Sequence, residues 1–299
     1  MERVTFGSGG VELVGHLRLP QAPGPGPWPG IVLTGPLTGV KEQVTGGYAA
    51  RLSEFGFATL AFDHRNFGES GGTPRQHEDS GGKLADLTDA LTELAVHPDV
   101  DAGRLGVLGI CLGGGYAVRF AATDPRVAAC AVVAGCFNDP AAFRSGMGPD
   151  NYRRVLRDLS EVATHERASG EPAYLAAVAD GDGEAAMPGR EPYAYYGTER
   201  AASPHWQNRV TRRSIHALLT FDAASWAERL PPTPLLVVHG RRDDYCAPDA
   251  AERLAAAADG ELVWLETDEH VALYDDEAVV EPAVHAVATF FDRVMPSIR

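Results

Sequence analysis

The stretch that most restricts this chain is RLGVLGICLGGGYAVRF, residues 104–120. An apolar run rises to Cys111, meets the glycines at 113–115, and continues with apolar residues at helical spacing. A strand can turn this abruptly into a helix only where side chains are absent beside the turn, because a Cβ there would collide with neighbouring atoms. Gly109 and Gly113 meet that need and leave Cys111 alone at the apex, in the form G-x-nucleophile-x-G. The apex residue stands exposed above the sheet and at a helix N-terminus, where free backbone N–H groups favour an anion and lower a thiol's pKa. The stretch therefore predicts an α/β architecture with a reactive thiolate at residue 111. Without function, the same residues describe a small buried cysteine in a glycine-rich turn. A dinucleotide-binding loop fits less well, since GICLGGG lacks the G-x-G-x-x-G spacing and follows several earlier strands.

The rest of the chain supplies what such a sheet requires. Short strands flank the Gly9-Gly10 turn in RVTFGSGGVELVGHLRLP, and a Pro/Gly loop, QAPGPGPWPG, follows. Apolar strands are expected at 30–36, 57–65, 104–110, 127–135, 233–240 and 261–266, with helical spacing at 44–56, 83–97 and 113–123 and helix-like segments after the last strands. Buried strands alternating with helices imply a mostly parallel sheet covered on both faces. Between 137 and 231 the rhythm breaks into helical patterns with polar connections and no strong strand. A stretch this long is more than a connection. It predicts a helical cap, or lid, inserted over the end of the sheet, with 1–136 and 232–299 forming the core domain. The alternative is a peripheral insertion that stabilises or dimerises.

Composition narrows the partners. The chain has 26 basic and 41 acidic residues, a formal charge of −15, which argues against nucleic acid or an anionic membrane. No apolar run reaches the roughly 18 residues of a transmembrane helix, and MERVTFGSGGVEL has no basic region leading into an apolar one, so no secretory signal is expected. Cys111, Cys130, Cys136 and Cys246 form no C-x-x-C pair, and 299 residues need no disulfide staples. The expectation is a reduced, cytoplasmic protein; the cap or an edge strand would offer a surface for a homodimer.

A thiol nucleophile needs a base, and the base an orienting acid. VVHGRRDDYCAP (237–248) places Asp243 just past a strand, beside Asp244, and WLETDEHVALYDDE (264–277) places His270 in the loop after the last strand. Each candidate follows a different strand, so all lie at the carboxyl edge of the sheet, where ligands bind. Asp139, after the strand ending at Gly135, is a further candidate acid. No metal spacing is found, and Asp243 and Asp244 with His270 are better explained as triad components; no cofactor is expected.

Nucleophile, acid, histidine is the chain order of an α/β-hydrolase triad, and the chain resembles an α/β-hydrolase along its whole length. The cysteine elbow is similar to that of dienelactone hydrolases. GPLTGVKEQ (35–43), LAFDHRNFGESGG (60–72), GICLGGGYA (109–117), ATDPRV (122–127) and HVALYD (270–275) resemble the YcjY-like bacterial hydrolases and related fungal polyketide transferases; within the cap only NRVTRRSIHALLTFD (208–222) does. The fold implies an oxyanion hole made by the Leu112 N–H and a donor from TGPLTG (34–39). Pro36 has no N–H, which moves that donor to Leu37 or Thr38.

Other residues carry weaker expectations. Pro36, Tyr193, Tyr196 and Trp206 are candidate substrate contacts, the last three within an aromatic patch with Tyr195 and His205 that otherwise forms cap core. His64 and Arg65 are expected to organise their loop with Asp63 and Glu69, Lys41 and Glu42 to pair locally, and Cys246 to be structural. A thiolate suits thioesters and activated esters and suits amides poorly. The expected reaction is hydrolysis of a thioester or ester, free or carrier-protein-bound, through acyl-Cys111, with His270 as base. The alternative is an acyltransferase or cyclase of polyketide type; a non-catalytic small-molecule binder is the other class. Dehalogenase or epoxide hydrolase chemistry would need aspartate at 111.

Overall fold

Strands β1 (Glu2–Ser8) and β2 (Val11–Arg18) pair antiparallel across Gly9-Gly10, both at positive φ, 54° and 83°. The computed structural model describes residues 1–20 and 26–296, so residues 21–25 of the expected Pro/Gly loop lie outside it. The core then alternates: β3 (Trp28–Thr34), α1 (Val44–Glu54), β4 (Ala58–Asp63), α2 (Ser80–Ala95), β5 (Val100–Ile110), α3 (Leu112–Ala121) and β6 (Val127–Val133). Next come α4 (Pro140–Met147), α5 (Pro149–Ser169), β7 (Tyr174–Leu175), α6 (Arg190–Tyr196), β8 (Val210–Thr211) and α7 (Arg213–Thr220). The core resumes with β9 (Leu235–Gly240), α8 (Pro248–Ala257), β10 (Glu261–Leu265), α9 (Ala272–Asp275) and α10 (Glu277–Val294).

The main sheet has eight strands in the order β1-β2-β4-β3-β5-β6-β9-β10. The pairs β1/β2 and β2/β4 are antiparallel and the rest parallel. This is the α/β-hydrolase architecture. The inner strands are mostly apolar because the pleat sends successive side chains to opposite, equally dry faces. On β3, Ile31 and Leu33 join Tyr48, Leu108 and Phe291 under α1 and α10, while Val32 joins Leu87, Val107 and Phe120 under α2 and α3. From β3 the chain steps to β4 on one side, and β5 returns on the other. That reversal opens a crevice at the carboxyl ends of β3 and β5.

The segment between β6 and β9 departs from the sequence expectation in one respect. It contains an antiparallel ribbon in which Tyr174 pairs with Thr211 and Leu175 with Val210. Strands this short carry no period for a pattern to reveal. The ribbon docks on the loop after β4: Thr211 N–H donates to Gln76 O, 2.9 Å, and Tyr174 Oη to Arg75 O, 3.1 Å. Arg200 meets Asp275 at the end of α9, 2.7 Å.

The expectation of reduced cysteines is corrected. Cys136 and Cys246 form a disulfide across 110 residues, while Cys111 and Cys130 are free. Chain length alone suggested no staple, but β6 and β9 are neighbours in the sheet, and the turns leaving them bring these Cα atoms to 4.9 Å. No described helix is long and apolar enough to cross a membrane.

Candidate active site

Cys111 stands between β5 and α3 with φ +54° and ψ −123°, a conformation costly for a residue with a Cβ. Its neighbours hold it there. The Cys111 carbonyl accepts from Gly114 and Cys136 N–H, both at 2.8 Å, and Cys111 N–H donates to Val133 O, 3.1 Å. A Cβ on Gly109 would strike the Gly113 carbonyl, and one on Gly113 the Thr34 carbonyl. The collision foreseen from the sequence is therefore backbone against backbone, with little to give.

The structure brings Asp243 and His270 to the same sheet edge. Asp243 Oδ1 accepts the Tyr245 and Cys246 amides, both at 2.8 Å, and Oδ2 meets His270 Nδ1 at 2.6 Å. The neighbouring Asp244 turns to the cavity rim, and Asp139 caps α4 by accepting from Ala141 and Ala142 N–H. His270 Nε2 faces Tyr274 Oη at 2.8 Å, and a His270 ring nitrogen lies within 4.8 Å of Cys111 Sγ. Glu191 on α6 accepts His270 N–H at 2.7 Å, clamping the histidine loop. His239, fully buried, places Nε2 3.9 Å from Asp243 Oδ2.

Sequence reasoning missed three of these neighbours. Tyr274 follows His270 at the i+4 spacing of one helical face, a signal that was present. Glu191 lies 79 residues away with no local signal, and His239 is hidden inside an apolar strand.

The charges are set by proximity. Burial opposes ionisation of Cys111, but the adjacent His270, hydrogen bonds from His270 and Tyr274, and the Leu112 N–H together hold the thiol below its ordinary range. For His270, burial disfavours the imidazolium, yet the Cys111 and Asp243 charges raise it to about 10. Proximity thus favours the thiolate and imidazolium forms of the pair over the neutral ones. Burial pushes Asp243 up, and its bonds to His270 and the two amides bring it below the usual carboxylate range.

A cavity of about 460 Å³ opens onto Cys111 and His270. Its walls are mostly apolar, with Leu37, Phe143, Met187, Ile215, Leu218 and Leu219 prominent, and no lysine or arginine lines it among the described residues. Leu112 and Leu37, the expected oxyanion donors, both lie on its wall, and the Leu37 N–H has no acceptor among the described residues.

Of the expected substrate contacts, Tyr196 lines the cavity, whereas Pro36, Tyr193 and Trp206 do not. Helical spacing explains the difference: Pro192 and Tyr196 share a face of α6, and Tyr193 turns onto Gly197. Trp206 forms a second layer, stacked on Tyr196 at 5.5 Å with Nε1–H donating to Thr38 Oγ1, 3.2 Å. The buried Tyr196 hydroxyl has no hydrogen-bond partner among the described residues.

The expected loop partners are also corrected. His64 and Arg65 pair with Asp86 on α2, Arg65 through Nε at 2.9 Å and Nη2 at 2.7 Å. Asp63 and Glu69 go instead to the fully buried Lys41 Nζ, at 2.8 and 2.7 Å, with Glu42 at 2.6 Å. Lys41 N–H also donates to Asp63, which anchors the loop carrying Leu37. Cys111, Cys246 and His270 place donor atoms within 4.8 Å of one another, but the Cys246 sulfur is bonded to Cys136 and is no thiolate ligand.

Comparison with known proteins places this arrangement in context. The family model described as serine aminopeptidase, S33 matches residues 43–277. The uncharacterized protein YcjY of Escherichia coli (strain K12) is 33% identical over 273 residues, 89% of this chain and 88% of that protein. Thiohydrolase aneE of Aspergillus aculeatus is 29% identical over 244 residues, 79% of this chain and 75% of its own. The crystal structure of alpha/beta hydrolase GrgF from Penicillium sp. sh18 superposes with a TM-score of 0.83 at 25% identity, covering 99% of both chains.

Proposed function

This chain belongs to the serine aminopeptidase S33 family of α/β hydrolases and is an enzyme of hydrolase or transferase type, and we propose that it cleaves a thioester or ester of a neutral, largely apolar acyl group through an acyl-cysteine on Cys111. The observation that carries this reading is a cysteine at the elbow apex, beside a histidine whose other nitrogen is 2.6 Å from a buried aspartate, on the wall of an apolar cavity.

The Cys111 thiolate adds to the carbonyl carbon, and the Leu112 and Leu37 N–H groups receive the oxyanion. Collapse expels the thiol or alcohol, protonated by the His270 imidazolium. Neutral His270, held in its tautomer by Asp243, then takes a proton from water. Hydroxide adds to the acyl-cysteine, and collapse returns the Cys111 thiolate and releases the acid. Residues 137–231 act as the cap that closes the acyl pocket. The absence of lysine and arginine from the wall argues against an acyl group ending in a carboxylate.

A second reading, transfer of the acyl group to an alcohol, amine or carbon nucleophile, or cyclisation, is favoured by relatives described as transferases. GrgF, 28% identical over 225 residues, is described as a polyketide transferase. The two readings share every step up to the acyl-cysteine.

The test is intact-mass spectrometry and turnover with a panel of acyl thioesters and p-nitrophenyl esters, on the wild type and Cys111→Ala. The wild type is expected to gain the acyl mass or release acid, and the variant to do neither. Acid release supports hydrolysis, and appearance of the acyl group on an added acceptor supports transfer. A Cys111→Ala protein as active as the wild type overturns the proposal. No acylation of either protein leaves two readings, a substrate more specialised than the panel or the non-catalytic binding class.

A further inference from the structure

The catalytic histidine of a triad uses one nitrogen for its acid and the other for proton exchange with the nucleophile. In this site the second nitrogen has an additional neighbour. His270 Nε2 is 2.8 Å from Tyr274 Oη, while Nδ1 is committed to Asp243. Tyr274 is buried, lines the cavity together with Cys111, and is among the groups that lower the Cys111 thiol's pKa. Its ring is fixed edge-on against Tyr195 at 5.0 Å and His270 at 5.2 Å. Tyr274 N–H donates to Val271 O, 3.0 Å, which ties the hydroxyl to the histidine loop.

We propose that Tyr274 is a fourth member of the reacting group, its hydroxyl accepting the His270 Nε2–H and donating its own proton to the Cys111 thiolate. The inference rests on the reading of Cys111 as the nucleophile. A protonated imidazole nitrogen is only a donor, and a phenol has one proton and two lone pairs. With Nε2–H directed at Oη, the phenolic proton is free for one acceptor, and the thiolate is the charged acceptor beside it. The tyrosine thus stabilises the resting ion pair. It also holds the imidazolium proton next to the sulfur, where the leaving group departs. The other ionisable groups facing this pair are Asp243 on Nδ1 with His239 behind it, Glu191 on the His270 amide, the Tyr245 phenol, whose ring lies 6.0 Å from that of His270, and the phenols of Tyr195 and Tyr196 from α6. Among the described residues, none of these meets Nε2 at hydrogen-bonding distance as Tyr274 does.

The experiment is the pH dependence of iodoacetamide alkylation at Cys111, located by peptide mass spectrometry, in wild type, Tyr274→Phe, Tyr274→Gln, Tyr195→Phe and Cys111→Ala. Iodoacetamide reports the thiolate and needs no oxyanion hole. Losing a hydrogen bond to a charged group is expected to raise the midpoint in Tyr274→Phe by about one to two pH units. Above both midpoints the rate should return to that of the wild type, which a loosened structure would not produce. Tyr274→Gln, which keeps an N–H donor, is expected to stay close to the wild-type midpoint, as is Tyr195→Phe. A Tyr274→Phe midpoint equal to wild type overturns the inference and leaves the Cys111 reading intact. So does a Tyr274→Gln midpoint displaced as far as that of Phe. If the peptide carrying residue 111 is not alkylated in the wild type while other sites are, the nucleophile reading itself fails.

Discussion

At the scale of single residues, Cys111 combines a strained backbone with a stabilised charge. Its φ of +54° puts the sulfur in the crevice, and the His270 charge then favours the thiolate. The sign of the pH dependence follows. As pH falls through the depressed Cys111 value, below the ordinary 9.0, the thiolate is protonated and activity is lost. As pH rises through about 10, His270 loses the proton it gives to the leaving group. A bell with its alkaline limb near 10 is therefore expected in kcat/KM against pH. Asp243→Asn favours the wrong tautomer and should lower kcat by about 10²- to 10⁴-fold, measured on any ester that acylates the wild type. Tyr196 behaves oppositely. Its buried hydroxyl has no hydrogen-bond partner among the described residues, so Tyr196→Phe removes a polar group that none of them compensates and should raise the melting temperature by roughly 2 °C in a calorimetric scan. The sequence named Cys111, Asp243 and His270. It did not separate Tyr196 from Tyr193, because a short aromatic run gives no helical phase until the ends of α6 are known.

At the scale of elements, the elbow works through what its glycines lack. Gly113→Ala would drive a methyl group into the Thr34 carbonyl of β3, so neither partner can move without breaking the sheet register. The expected cost is about 3 kcal/mol or more, read as a lower urea midpoint or loss of soluble protein. Glu191 is the corresponding device in the insert, joining α6 to the His270 loop at 2.7 Å. Core strands and helices were legible because burial on both faces leaves long apolar runs, and helix faces repeat over three or four turns. The two-residue ribbon was not legible, since its pairing is set by docking onto Gln76 and Arg75. Asp86 as the partner of Arg65 was equally hidden, 21 residues away on a helix whose orientation the sheet fixes.

At the scale of the whole molecule, the Cys136–Cys246 bond joins the exit of β6 to the loop that carries Asp243. Closing a loop of 110 residues restricts the unfolded chain by about 4–5 kcal/mol in the loop-entropy model. Reduction, or Cys246→Ser, should therefore lower the urea midpoint markedly, while a reduced protein as stable as the oxidised one would count against the cross-link. By itself the sequence determined the alternating core, the glycine-flanked apex and the chain order of nucleophile, acid and histidine. Those features arise from sterics and periodicity among residues close in sequence. Tertiary structure alone decided that Tyr274 meets the second nitrogen of the base, that Lys41 gathers Asp63 and Glu69, and that Cys136 reaches Cys246. Those contacts depend on how the two faces of the sheet and the insert pack, and packing sets distances that no local stretch of sequence encodes.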